Sequence, residues 1–216
     1  MQFKGAIFDL DGVIVDTVGV HFKAWEKMFS EYGKQFTFED YKQKVDGIPR
    51  MQGAKAVLPD LSAEELEKAA QKKQGYFLGF LETEGVKIYE STLNLVKQLR
   101  QDNIKLAVIS SSKNCLPILK KAQIDGLFEV IVTGLDTIRG KPEPDIFLLA
   151  CQRLGLQPGE CIVFEDAVLG VESAKKGNFS CVGIDRYNNP ARLSGADLIV
   201  SDLSEITLDK LRKTLE

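Results

Sequence analysis

Two aspartates stand two residues apart in Phe8-Asp9-Leu10-Asp11-Gly12-Val13, directly after a short apolar run. If that run is a buried strand, positions i and i+2 share a face. Two unpaired carboxylates so placed repel each other, and one pKa rises. A divalent cation relieves the repulsion, which makes the pair a candidate magnesium site; the plainer reading is a pair of turn formers before Gly12. Three more segments follow the same pattern. Val108-Ile109-Ser110-Ser111-Ser112-Lys113-Asn114 sets hydroxyls and turn amides after a second apolar run. Such a loop is either an anion cradle or a helix N-cap. Arg139-Gly140-Lys141-Pro142-Glu143-Pro144-Asp145 holds a lysine in a proline-stiffened loop, where a solvated lysine is the alternative. Phe164-Glu165-Asp166-Ala167 places two further carboxylates where a strand gives way to a helix, a position in which acids also cap and complement the dipole. Carboxylates, hydroxyls, a cation and carboxylates again, each at a strand end, suit a magnesium-assisted phosphate site better than four coincidences.

The elements that must position these groups are legible as continuous apolar runs. Gly5–Phe8, Ile104–Ile109, Cys161–Phe164 and Ser180–Ile184 read as buried parallel strands, with weaker ones at Phe128–Val132 and Leu198–Val200. Unbroken rather than alternating apolarity fits strands covered on both faces. Helical patterns lie between them: Thr92–Asn103, Ile146–Leu154 before Gly155, and Ala167–Lys176 before Gly177. Strand–helix alternation from about residue 88 onward predicts a doubly wound α/β sheet. Residues 17 to 86 break that rhythm with helices: Val18–Tyr32 carries Phe22, Trp25, Met28 and Phe29 at helical spacing, and Ser62-Ala63-Glu64-Glu65 is a capping box opening a helix to about Leu81. Gly75 and Gly79 weaken its later turns. A helical block of this length exceeds an ordinary crossover. The expected division is therefore a core of 1–16 and 87–216 with an inserted helical domain at 17–86.

Composition narrows the function classes. Among 216 residues, 44% are hydrophobic, and 28 Lys and Arg stand against 31 Asp and Glu for a net charge of −3. That balance argues against nonspecific nucleic-acid binding and against disorder. Cys115, Cys151, Cys161 and Cys181 show no CxxC spacing, and His21 is the single histidine, so buried reduced thiols are expected rather than a zinc site. No apolar run approaches the roughly 20 residues a bilayer requires, and no signal peptide is apparent. The expectation is a cytoplasmic chain with neither membrane nor nucleic-acid partners, monomeric for want of an association motif.

Taken together, the motifs resemble the haloacid-dehalogenase (HAD) superfamily of phosphotransferases, most closely its β-phosphoglucomutase-like branch, over essentially the whole chain. Asp9-Leu10-Asp11-Gly12 is similar to the first motif, Ser110 to the second, Lys141 to the lysine motif and Glu165-Asp166 to the acidic motif. Asp16-Thr17 followed by His21 and Ala24-Trp25, then Ser110-x-Ser112-Lys113-Asn114, resemble the branch. The resemblance implies a HAD-like, Rossmann-like core with a helical cap. Asp9 is then the nucleophile that becomes an aspartyl phosphate, and Asp11 the general acid and base. Magnesium is held by Asp9, the Asp11 carbonyl and Asp166, with Glu165 as a further or water-mediated ligand. Ser110, the Ser111 amide and Lys141 hold the phosphoryl oxygens. In the cap, Asp46-Gly47-Ile48-Pro49-Arg50 resembles the substrate-specificity loop, with Arg50 on a distal phosphate. Lys73 and Asn114 become sugar or second-phosphate contacts, and His21 an orienter near Asp11. Trp25 falls beside it, with cap core as its plainer role.

Two departures bear on the substrate. Glucose-phosphate mutases of the branch carry a lysine where this chain has Asp46, and Pro49 stiffens the same loop; Glu90-Ser91 replaces the usual Pro-Gly after the return linker. The implied activity is a sugar-phosphate mutase. A sugar-phosphate phosphatase using the same site is the alternative, and a catalytically silent metabolite binder a third reading.

Overall fold

The computed structural model describes residues 3–137 and 139–214. The chain divides into two compact units, one formed by Met1–Asp16 with Ile88–Glu216 and the other by Thr17–Lys87.

The strands in chain order are β1 (Gly5–Asp9), β2 (Val15–Asp16), β3 (Lys87–Ile88), β4 (Lys105–Ser110), β5 (Val130–Thr133), β6 (Cys161–Glu165), β7 (Ser180–Ile184) and β8 (Leu198–Val200). β2 and β3 pair with each other; the other six form one sheet in the order β5-β4-β1-β6-β7-β8. Every neighbouring pair in that sheet is parallel, so all carboxyl ends lie along one edge. The chain runs outward from β1 through β4 to β5, then returns to lay β6 against the other side of β1. The reversal of strand order between β1 and β6 is the topological switch point, where open α/β sheets form a ligand crevice. Continuous apolarity has the expected cause. Ile7, Ala107, Ile109, Val163 and Cys181 pack with Phe147, Ala150, Val171 and Ala174 on one face. The alternate residues Ala6, Phe8, Leu106, Val108, Ile162 and Phe164 are equally buried and, by strand alternation, point to the other face. Phe8 stacks on its register partner Phe164 with centroids 4.5 Å apart. The α-helices of this unit are α5 (Glu90–Gln101), α6 (Cys115–Lys121), α7 (Asp145–Leu154), α8 (Val168–Lys176) and α9 (Leu208–Thr214). All four cysteines are buried free thiols.

The second unit holds α1 (Val18–Ser30), α2 (Phe38–Lys44), α3 (Arg50–Val57) and α4 (Ala63–Glu84). Trp25, Met28 and Phe29 of α1 join Phe36, Tyr41, Ala54, Leu58, Leu66 and Ala69 in its core. The helix expected to fade near Leu81 continues to Glu84. A Cβ at Gly75 or Gly79 would meet nothing within 4 Å; both glycines face away from neighbours, so only backbone entropy is lost there. The buried stripe Leu66, Ala69, Ala70, Lys73, Phe77 and Leu81 runs uninterrupted past them. Gly85, at φ +80°, ends the helix. Its start is the capping box expected from sequence: Ser62 Oγ accepts from Glu65 N, and Glu65 Oε2 accepts from Ser62 N at 2.8 Å. Ser62→Ala removes this cap at a cost of about 1 kcal/mol. Differential scanning calorimetry is expected to show a midpoint about 3 °C lower; an unchanged midpoint would mean the cap contributes nothing.

Candidate active site

Parallel pairing brings the motif residues to one edge. Asp9 ends β1, Ser110 ends β4 and Glu165 ends β6. Asp9 and Glu165 each lie one residue beyond the paired Phe8 and Phe164. Lys141 sits between them, its Nζ 2.6 Å from Asp9 Oδ1 and hydrogen-bonded to Glu165 Oε1. The lysine, both carboxylates and Asp166 are buried. Lys141 Nζ also lies over the Phe147 ring, 5.3 Å from its centroid. Glu165 is spoken for on both oxygens, since its Oε2 accepts from Ala167 N at 2.8 Å. Gly170 makes room for it: a Cβ there would stand 1.8 Å from Oε1.

Asp11 lies past the strand end in a tight hairpin. Gly12 N donates to Val15 O at 2.8 Å, and Ile14 N and Val15 N both donate to Leu10 O. Gly12 adopts φ +82°, a conformation natural to glycine. It also has no space for a side chain, because a Cβ would stand 1.9 Å from Asp166 Oδ2. The Asp166 carboxylate thus rests directly on the Asp11–Gly12 loop. Ser110 Oγ donates to Asp11 Oδ2 at 3.3 Å and accepts from Ser112 N at 3.0 Å. Ser112 Oγ accepts from Asn114 N, and Asn114 is the buried N-cap of α6. The serine loop therefore shapes itself by its own hydroxyls. Its Ser111 carbonyl packs against Gly134, where a Cβ would stand 2.2 Å away.

Electrostatically the cluster is anion-rich, with Asp9, Asp11, Glu165 and Asp166 set against Lys141. Burial pushes the Asp9 carboxyl up to about 8; Lys141 draws it down, while Glu165 and Asp11 push it further up. Burial by itself depresses Lys141, but Asp9 and Glu165 outweigh it and leave the ammonium above its ordinary value. A buried, mutually repelling acid set is a cation-binding chemistry. A trans peptide sets its C=O opposite the next N–H, so the Gly12 N–H bonded to Val15 O turns the Asp11 carbonyl to the far side of the hairpin. Among the described residues no group of three or more His, Cys, Asp or Glu side chains is arranged to hold a metal ion. Two carboxylates and a carbonyl, the rest left to water and substrate, are a sufficient oxygen set for a small hard cation.

Residues 6–184 match the haloacid dehalogenase-like hydrolase family. The chain belongs to that family. Among its relatives, β-phosphoglucomutase of Bacillus subtilis is 33% identical over 220 residues, covering 99% of this chain and 96% of the relative. Hexitol phosphatase A of Escherichia coli is 31% identical over 217 residues, covering 97% and 96%. The crystal structure of β-phosphoglucomutase from Clostridium difficile superposes with a TM-score of 0.91 at 27% identity, covering 99% of this chain and 97% of that one. The α/β HAD-like fold is thereby shown, as is kinship with both mutases and sugar phosphatases. No helix among the described residues of this haloacid dehalogenase-like chain is long and apolar enough to cross a membrane.

The helical unit carries its own polar cluster. Lys73 is buried on the apolar stripe of α4, with Nζ 2.7 Å from His21 Nδ1 on α1. The same ammonium lies 5.0 Å over Trp25 and 4.9 Å over Phe77, and His21 stacks on Phe77 at 4.2 Å. The structure places Trp25 in the unit's core, stacked on Phe29 at 5.2 Å. Gly47 turns the preceding loop with φ +73°, and Arg50 opens α3 just after Pro49. Arg50 is hydrogen-bonded through Nη1 to Gln74 Oε1, while its Nε is buried with no partner.

Two supports of the Asp11–Gly12 hairpin carry no signature in the sequence. Thr92 Oγ1, fully buried, donates to Val13 O at 2.6 Å, and Arg186 Nε donates to Gly12 O at 2.7 Å. Neither belongs to a short motif; an arginine two residues past the apolar run Ser180–Ile184 is the only available signal.

Proposed function

We propose that this chain is a magnesium-dependent phosphotransferase of the β-phosphoglucomutase type, acting on a sugar phosphate through an aspartyl phosphate on Asp9. The observation that carries the reading is the Asp9 carboxylate fixed at 2.6 Å by a buried lysine at the switch point of the sheet, with Asp166 seated on the adjoining loop. Asp9, the Asp11 carbonyl and Asp166 would hold magnesium, with Glu165 as a further ligand through water. When bound, the metal neutralises the charge that keeps an anionic nucleophile from an anionic phosphate.

The chain's own residues do the rest. An Asp9 oxygen attacks phosphorus while Asp11 protonates the leaving oxygen; Asp11 then takes the proton from the acceptor that attacks the aspartyl phosphate. Ser110, the Ser111 amide and Lys141 hold the transferring oxygens as fixed positive partners. Glu165, bonded to both Lys141 and Ala167 N, sets the lysine's position. In the helical unit, Arg50 offers a planar donor fork to a second phosphate. His21, Lys73 and Asn114 remain the candidate sugar and phosphate contacts, with Gly47 shaping the loop and Trp25 supporting Lys73.

Hydrolysis by the same residues is the second reading. It is favoured by Asp46 and Pro49 in the specificity loop and by relatives named hexitol phosphatase A and fructose-1-phosphate phosphatase. The test is a time course with β-glucose 1-phosphate, catalytic glucose 1,6-bisphosphate and magnesium, following glucose 6-phosphate and inorganic phosphate together. Glucose 6-phosphate forming faster than inorganic phosphate is the expected result, abolished by EDTA and restored by excess magnesium. Inorganic phosphate alone would move the assignment to a phosphatase, and magnesium-independent turnover would overturn the metal scheme.

A further inference from the structure

We propose that Arg186 and Tyr89 form a positioning clamp that fixes the Asp11–Gly12 peptide, and through it the oxygen set offered to the divalent cation. The inference rests on the proposed metal-assisted reading of the Asp9 site.

Arg186 lies two residues beyond β7, and its side chain is only 12% exposed. It reaches back across the sequence to donate from Nε to the Gly12 carbonyl at 2.7 Å. Its guanidinium lies 3.7 Å over the Tyr89 ring. Nη1 is 3.5 Å from Ser201 O and 3.7 Å from Asp202 Oδ2, and Nη2 is buried without a partner. A buried donor left unsatisfied is costly, so the guanidinium is held here by its bond to Gly12 and its stacking rather than by saturation of all its donors. Tyr89 holds the other side of the same hairpin: its amide donates to Ile14 O at 3.0 Å. Burial pushes its hydroxyl up to about 12; Arg186 opposes this, and Asp16, to which the hydroxyl is hydrogen-bonded, and Asp166 add to it.

The consequence lies at Gly12. Its N–H is bonded to Val15 O and its C=O to Arg186, so both peptide planes flanking this left-handed residue are oriented. Fixing the first plane aims the Asp11 carbonyl; fixing the second keeps Gly12 flush under the Asp166 carboxylate. Only a planar guanidinium can donate sideways from Nε while lying flat on an aromatic ring. A lysine at 186 would keep the charge and lose both constraints. Released from the clamp, the hairpin would still be anchored at Val13 by Thr92, so loosening would fall on Gly12 and Asp11 rather than on the fold.

The test uses the full-length chain and two independent readouts. Magnesium binding is titrated calorimetrically without substrate, and p-nitrophenyl phosphate hydrolysis is followed at saturating magnesium. Arg186→Met is expected to weaken magnesium binding and to lower kcat, each by about tenfold or more, with KM for the ester within about twofold. Arg186→Lys guards against a folding failure and should show the same split at a wild-type circular dichroism spectrum. Tyr89→Leu removes the ring from under the guanidinium while keeping the amide on Ile14, and a smaller loss of the same kind is expected. Wild-type magnesium affinity and kcat in both arginine variants would overturn the clamp, as would a loss confined to KM. A chain that binds magnesium yet turns over no phosphate ester would defeat the proposed function, while the clamp would still be judged by the magnesium titration. A wild-type chain that binds no magnesium would defeat both.

Discussion

Asp9→Asn is expected to eliminate phosphoryl transfer to any acceptor while leaving the protein folded. The amide is nearly isosteric, but it cannot attack phosphorus and it contributes no charge to a cation. Loss on the order of 10⁴-fold corresponds to about 5.4 kcal/mol of barrier, a magnitude fitting removal of a covalent nucleophile and a metal ligand together. Stability should barely follow. Burial, Glu165 and Asp11 all push the Asp9 carboxyl upward against the pull of Lys141, so replacing it with a neutral amide relieves desolvation and repulsion and little stabilisation is lost with it. Lys141 keeps Glu165 as a partner. The measurement is single-turnover transfer from p-nitrophenyl phosphate or a sugar phosphate, with the thermal midpoint read on the same preparation. A midpoint within about 3 °C of wild type is expected. Wild-type turnover in the variant would rule out an aspartyl phosphate at this position.

Lys141→Met should damage both activity and stability. Methionine fills the same slot beside Phe147 but leaves Asp9 and Glu165 facing each other without the ammonium that joins them. The lysine side chain is 2% exposed and the glutamate 0%, so water cannot replace the missing charge. Removing one partner of a buried ionic group costs about 3–5 kcal/mol, which for a chain of this size lowers the midpoint by about 10 °C. Activity should fall by about 10²–10³-fold, the usual consequence of losing a preorganised charge on the transferring oxygens. Calorimetry and steady-state hydrolysis of p-nitrophenyl phosphate check the two effects. An unchanged midpoint would show that the Asp9–Lys141–Glu165 cluster carries no net stabilisation, and unchanged turnover would remove Lys141 from the catalytic set.

The contrast between these variants follows from where the charge is lost. Asp9 sits in an excess of acids, so neutralising it relieves repulsion. Lys141 is the cation against which that excess is arranged, and neutralising it adds repulsion. The same asymmetry is the reason the site suits a divalent metal.

Much of this site was legible in the residue order because its parts are local. A buried parallel strand shows as an apolar run, and the residues just after it occupy the carboxyl edge whatever the strand order. Asp9, Ser110 and Glu165 could therefore be placed at one end of a sheet before any pairing was known. The capping box at Ser62 was equally local. The short helices α2, α3 and α6 did not stand out individually, since seven or eight residues give too few turns for a periodic pattern. Gly75 and Gly79 lowered the expectation for the end of α4 because propensity is blind to which face a glycine occupies.

What tertiary structure alone decided concerns partners far apart in the chain. Lys141 meets Asp9 across 132 residues, and Arg186 meets Gly12 across 174. Neighbouring acids also took different surroundings. Glu165 points with alternate β6 residues toward Lys141, whereas Asp166, one residue on, rests against Gly12. Strand order is set by the packing of helices on both faces, a sum over the whole unit that no window of sequence contains. Residue identity thus supplied the chemistry and its position along each strand, while long-range packing selected which acids would meet the lysine and which would rest against Gly12.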